Sequence, residues 1–292
     1  MLHRLVYADW EDPPEAMAFE VSYRDALAAI KTRLGIVQEG LTRALTGPAG
    51  VSSSYWDACL ELYLLTPAIV NVALNYKVCL EHGLPLHPTH YFEVNDQTRG
   101  QVVHPEPLVD AGQAFFEDAI AAALAVFRLD PAAGERLAAL AAEVPAGVGT
   151  FVYTSTRDTY TWRASEPAKI ADLAAAIRAS ISPAIVVGAA HGSITAALVL
   201  ATMLETPLYF IRFSMFKRND TEPVIGPRDL VHLARYRRGP ALLFDEDVAK
   251  GVTLTAFTAR LAPLFEVSYS AGVLRNAFAG FRPDFVGRVW YD

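Results

Sequence analysis

The chain has little positive charge to spare. Its 25 lysines and arginines are outnumbered by 32 aspartates and glutamates, giving a formal net charge of −7. A general nucleic-acid binder would show the opposite balance. Cysteine is scarce too: Cys59 and Cys79 are the only two, each inside apolar, helix-like sequence. That excludes a disulfide framework and a cysteine-based zinc site, and makes a reducing cytosol the expected compartment. There is no internal repeat and no low-complexity tract. The stretch Met1-Leu2-His3-Arg4-Leu5 lacks the long apolar core of a secretion signal. The most hydrophobic window, residues 60–80, is interrupted by Glu61, Pro67, Asn71, Asn75 and Lys77. Such polarity fits buried helices with a break at Pro67 rather than a membrane span. The expectation is a cytoplasmic protein with no membrane or nucleic-acid partner.

What is present is ample core material, 52% hydrophobic residues in a chain of 292, enough for two domains or one large one. Helical spacing of apolar residues dominates residues 1–147. It runs from Pro14 to Thr46, from the serines at 52–54 to Gly83, from Leu108 to Leu129, and from Asp130-Pro131 to about Val144. Between residues 84 and 107, Tyr91-Phe92-Glu93-Val94 reads as a short strand. His87, His90 and His104 lie in the same proline-rich stretch without a recognisable ligand set. After Pro145-Ala146-Gly147 the pattern changes. Residues 150–162, rich in Thr, Tyr and Val, predict a β-hairpin. From Pro167 onward helices and strands alternate, which predicts βαβ units and a parallel sheet. The boundary is placed at 147/148: a mainly α-helical domain over 1–147, then an α/β domain over 148–292.

Three strand ends in the second half carry chemistry. The strongest is Leu242-Leu243-Phe244-Asp245-Glu246-Asp247, which runs through a short loop with Gly251 into a helix at Thr253. Carboxylates there can accept hydrogen bonds from sugar hydroxyls. The loop amides and Thr253 can surround a phosphate at the positive end of the helix. The plain alternative is a strand whose acidic end caps a helix. The second is Ile185-Val186-Val187-Gly188-Ala189-Ala190-His191-Gly192-Ser193, another strand, small-residue loop and helix start. Its glycines lack the Gly-x-Gly-x-x-Gly spacing of a dinucleotide site. The third is Phe210-Ile211-Arg212-Phe213 running into the basic loop Ser214-Met215-Phe216-Lys217-Arg218.

In this order and spacing the three motifs resemble those of the type I phosphoribosyltransferases, over about residues 165–275. No family is recognised in residues 1–147. The resemblance implies a parallel-sheet phosphoribosyltransferase-like domain, and phosphoribosyl pyrophosphate (PRPP) as substrate. Asp245 and Glu246 would bind the ribose hydroxyls and a Mg²⁺ ion. Ala190, His191, Gly192 and Ser193 would hold pyrophosphate, in a loop that often contains a cis peptide. Arg212 would also contact PRPP, and Lys217 or Arg218 would close over the pyrophosphate as a lid. Ala249, Lys250, Gly251, Val252 and Thr253 would cradle the 5′-phosphate. Two positions depart from the pattern: Lys250 stands where threonine is usual, and Ala249 where purine-salvage members carry an aspartate. Near the C-terminus, Pro283-Asp284-Phe285-Val286-Gly287 resembles the base-binding run of hypoxanthine-guanine phosphoribosyltransferases, which makes Phe285 and Val286 acceptor contacts. The plain alternative for that run is a terminal strand packed on the core. The implied activity is Mg²⁺-dependent transfer of phosphoribose to a small nitrogenous acceptor, with release of pyrophosphate, by a self-associating enzyme. The alternatives are a PRPP-sensing regulator without turnover and a phosphoribosyl hydrolase.

Overall fold

The computed structural model describes residues 1–46, 53–95 and 97–291; the side chains of 42–46 and of Phe216 and Lys217 lie outside the description. The Gly47-Pro48 break and the cap at Ser52 also lie outside the described residues. The first half is built from α1 (Tyr23–Thr46), α2 (Ser53–Leu65), α3 (Pro67–Glu81), α4 (Glu106–Arg128) and α5 (Ala133–Ala142). A short strand, β1 (Phe19–Ser22), precedes α1 where the sequence pattern predicts helix. Its partner is β2 (Val152–Ser155), in an antiparallel two-stranded sheet that replaces the predicted hairpin at 150–162. The physical reason is Asp158. Its carboxylate accepts hydrogen bonds from the amides of Tyr160 and Thr161, both at 3.1 Å. This cap opens α6 (Thr159–Ala164), so a residue read as part of a turn starts a helix instead.

The window at 60–80 divides at the predicted place. Thr66 separates α2 from α3, and Pro67 opens α3, where its missing N–H costs nothing. The stretch Ser53–Glu81 is long and apolar enough to cross a membrane by length and composition, yet 72% of its most apolar window is buried inside the fold.

The second half carries α7 (Pro167–Arg178), β3 (Ile185–Ala190), α8 (Ile194–Leu204), β4 (Leu208–Arg212), the single turn α9 (Met215–Arg218), α10 (Pro227–Ala234), β5 (Ala241–Val248), α11 (Val252–Leu261), β6 (Ser268–Asn276) and β7 (Phe285–Trp290). The five strands from β3 onward form one parallel sheet in the order β4-β3-β5-β6-β7. Every residue of β3 and β4 is buried, as the unbroken apolar runs require of strands covered on both faces. Strand β5 extends past the apolar run and takes in the acidic triplet, Asp245 pairing with Gly272 and Asp247 with Leu274.

The buried apolar side chains of both halves form one continuous cluster. Among them runs a buried polar bolt. The Lys77 ammonium on α3 pairs with Glu81 and, at 2.8 Å, with Asp229 on α10. Asp229 also accepts from the Tyr209 hydroxyl of β4 at 2.6 Å and from the Gly226 amide at 2.8 Å. A fully buried ammonium needs this company, because an unpaired one would cost several kcal/mol, of order 3–5.

Candidate active site at the strand ends

A parallel sheet whose strand order reverses leaves a crevice beyond the carboxyl ends of the strands, at the point of reversal. Here the chain moves outward from β3 to β4, then returns to β5 on the other side of β3. The crevice must therefore lie between the ends of β3 and β5. A cavity of about 1040 Å³ opens there. Its floor is Ala189, His191 and Gly192 from the β3 end and Asp245, Glu246 and Asp247 from the β5 end. The two ends touch. A Cβ built on Gly192 would stand 2.0 Å from Glu246 Oε1, so only glycine lets the carboxylate reach this loop. The Ala190–His191 peptide is cis.

The acidic triplet sits in a costly environment. Burial raises the Asp245 carboxyl above the ordinary carboxylate range, against hydrogen bonding from Glu246 that pulls the other way. Burial, then the Asp245 charge, pushes Glu246 well above its usual value. Asp247 rises to about 7, from burial first and the Glu246 charge second, while the Trp290 indole beside it offsets part of the rise. Asp158 adds repulsion to both Glu246 and Asp247 from across the cavity. Glu246 Oε2 and Asp247 Oδ1 are buried with no hydrogen-bond partner in the protein. Buried acceptors in that state await a donor or a cation.

The loop after β5 is shaped for an anion. Gly251, the N-cap of α11, has φ +83°, and a Cβ there would also meet Phe281 Cβ at 2.5 Å. Glycine is needed at this position on both counts. The amides of residues 251–253 thus open the positive end of a ten-residue helix. Ala249 and Thr253 line the cavity, and the Thr253 hydroxyl points at Met215 Sδ, 3.8 Å away. Gly251 and Val252 contribute no side chain to the cavity wall, and Lys250 is exposed outside it.

Other expected residues are placed differently. Arg212 does not line the cavity. It is 1% exposed and forks onto Asp220, at 3.2 and 3.1 Å, with Nη1 donating to the Phe92 carbonyl at 3.3 Å. Those bonds commit the guanidinium to holding the 212–220 loop. The Ser193 hydroxyl turns back to the Ala189 carbonyl at 2.7 Å, which leaves its backbone to face the loop. Arg218 does line the cavity; the Lys217 side chain lies outside the described residues.

Phe285 and Val286 lie elsewhere too. They begin β7, paired with Ala271 and Gly272, and do not line the cavity. The Phe285 ring packs 5.8 Å from that of Tyr269. Asp284 of the same run accepts from the Ser270 amide and hydroxyl, both at 2.7 Å. The run is a strand entry, and the cavity residue of β7 is Trp290 at its other end.

Sequence reasoning missed the whole opposite wall. Thr89, His90, Tyr91 and Glu93 from the first half line it, together with Asp158, Tyr160 and Trp162. Residues 91–94 form no strand; residues 91–93 lie against Arg212, Arg218 and Asn219. The histidines nearby are structural: His87 Nδ1 accepts from the Thr89 and His90 amides at 3.2 and 3.1 Å, and His104 Nε2 lies 2.8 Å from the Leu84 carbonyl. Among the described residues no group of three His, Cys, Asp or Glu side chains is arranged to hold a metal ion.

No family model matches the chain, and no curated protein matches it in sequence. Solved structures do resemble its second half. A purine phosphoribosyltransferase from Pyrococcus horikoshii shares 21% identity over 43% of this chain and 83% of its own, with a TM-score of 0.35. The xanthine-guanine-hypoxanthine phosphoribosyltransferase of Helicobacter pylori shares 21% over 42% and 79%, with a TM-score of 0.32. The orotate phosphoribosyltransferase of Aeropyrum pernix shares 18% over 44% and 70%, with a TM-score of 0.30. Likeness at this level carries no argument. The second half is a parallel-sheet α/β domain with three loops at one end of the sheet. Within this domain the β3 loop, the β4 extension and the acidic β5 end meet at one crevice, and the helical half closes its far side.

Proposed function

We propose that the phosphoribosyltransferase-like domain binds PRPP across the ends of β3 and β5 and transfers its phosphoribosyl group to a nitrogenous acceptor. The observation that carries this reading is the contact of Gly192 with Glu246, which brings an anion-type loop and an unpartnered buried carboxylate to one point. The ribose hydroxyls donate to Asp245 and Glu246. Such donors stabilise the ionised carboxylates and so return their raised proton affinities toward ordinary values. The 5′-phosphate lies on the amides at the start of α11, and pyrophosphate on the loop at 190–193 with Arg218 beside it. The acidic triplet faces the anomeric carbon, where positive charge develops as the pyrophosphate bond breaks, and stabilises it electrostatically. The acceptor nitrogen attacks from the side lined by Trp162, Asp158 and Trp290.

The donor set suits Mg²⁺. Carboxylate oxygens are its preferred ligands, and Glu246 Oε2 is free of protein partners. Asp245 and Glu246 would hold the ion, which when bound would supply counter-charge to the leaving pyrophosphate. A PRPP-sensing protein without turnover is the second reading, favoured by Ala249, which places no carboxyl at its point on the cavity wall. Incubation with PRPP, Mg²⁺ and a panel of purine, pyrimidine and amine acceptors, followed by pyrophosphate assay, separates the two. Release with at least one acceptor supports the transferase. Tight PRPP binding with no release from any of them sinks it in favour of the sensor, and release without acceptor points to a hydrolase.

A further inference from the structure

Three consecutive residues of the helical half each hold a residue at the end of β4 or just after it. The Arg218 guanidinium lies 4.6 Å above the centre of the Tyr91 ring, and its Nη1 donates to the Tyr91 carbonyl at 3.4 Å. The Phe92 carbonyl accepts from Arg212 at 3.3 Å. The Glu93 carboxylate accepts from the Asn219 side-chain nitrogen Nδ2 at 2.9 Å. Tyr91 is itself fixed, its hydroxyl donating to the Val152 carbonyl at 2.7 Å on β2. Arg218 and Tyr91 both face the cavity. Burial and the neighbouring Arg212 charge disfavour the Arg218 cation, while Asp220 nearby favours it; the aromatic face beneath adds a cation–π attraction.

We propose that Tyr91 is a positioning residue for phosphoribosyl transfer: it sets the Arg218 guanidinium over the cavity, so that the helical half supplies one wall of the pyrophosphate subsite. This rests on the PRPP reading above and extends it to a part of the chain that no sequence motif implicates. Left to itself, an arginine on a single-turn helix would sample many rotamers, and ordering it on binding would cost affinity. Seated on the ring, it is in place before the ligand arrives. The expected effect is confined to ligands that carry pyrophosphate. Ribose 5-phosphate, which needs only the acidic triplet and the α11 loop, gains nothing from Arg218.

The test is calorimetric titration of wild type, Tyr91→Phe, Tyr91→Leu, Arg218→Gln and the Leu/Gln double variant with PRPP and with ribose 5-phosphate, both in Mg²⁺. Tyr91→Leu is expected to weaken PRPP about two- to thirtyfold, the range of a cation–π contact from exposed to desolvated, and to leave ribose 5-phosphate unchanged. Tyr91→Phe keeps the ring but loses its Val152 anchor, and falls between wild type and Tyr91→Leu. The double variant loses no more than Arg218→Gln alone, since both remove one contact. A Tyr91→Leu protein that binds PRPP as tightly as wild type, or that loses both ligands equally, overturns the inference alone. A folded wild-type protein that binds neither ligand overturns the phosphoribosyl reading and this inference with it.

Discussion

Replacing Asp247 by asparagine is expected to stabilise the empty protein at alkaline pH while leaving it unchanged in acid. Burial and the Glu246 charge raise the Asp247 carboxyl from an ordinary 3.8 to about 7. A group that holds its proton more tightly folded than unfolded contributes its full stability below the unfolded value, and that stability is lost as pH rises through the folded one. The window is therefore pH 4 to 7, and above it the wild type carries the whole penalty. The interval corresponds to about 4 kcal/mol at roughly 1.36 kcal/mol per tenfold change in proton affinity. Asp247 borders a water-accessible cavity, and screening there brings the expected gain to about 2 kcal/mol. In a chain of this size that is a rise of about 4 °C in unfolding temperature. Thermal unfolding of both proteins at pH 5 and pH 8 measures it. A gain at pH 8 that falls to less than about half at pH 5 supports the reasoning; an equal gain at both, or none at pH 8, refutes it.

Gly192→Ala places a methyl 2.0 Å from Glu246 Oε1; the carboxylate can swing aside, so stability should change by less than about 1 kcal/mol while PRPP affinity falls about ten- to a hundredfold, the worth of a charge-assisted hydrogen bond. Circular dichroism with calorimetry separates the two effects. Gly251→Ala should behave oppositely in stability, costing about 2 kcal/mol because φ is +83° and Phe281 occupies the Cβ position; a denaturant midpoint unchanged from wild type would contradict that.

How far the sequence could be read depended on the range of the forces involved. The second-half helices and strands were legible because local pattern decides them: apolar runs such as Ile185-Val186-Val187 suit only a covered strand. The β5 loop was legible because Gly251 and the acidic triplet are adjacent in the chain. The surroundings of Arg212 and of the Phe285-Val286 pair were not legible because their partners, Asp220 and Phe92 for one and Tyr269, Ala271 and Gly272 for the other, are set by tertiary packing. Residue type at a strand end does not say whether a guanidinium faces a ligand or a buried carboxylate. The wall formed by Tyr91, Glu93 and Asp158 could not be read at all, since it comes from segments more than fifty residues from any motif or hidden in a Thr- and Tyr-rich stretch that mimics a hairpin. Only the Asp158 cap, an aspartate two residues ahead of the amide it receives, left a local signal.

The central claim is that the meeting of the β3 loop and the acidic β5 end is a PRPP site. Titration of PRPP with Mg²⁺ into the wild type and into the paired Asp245→Asn and Glu246→Gln variant tests it most directly. Both proteins should fold, because the changes remove buried charge without removing volume. The account predicts saturable binding by the wild type and at least a hundredfold loss, about 2.8 kcal/mol, in the variant. Equal affinity in the two proteins would contradict it.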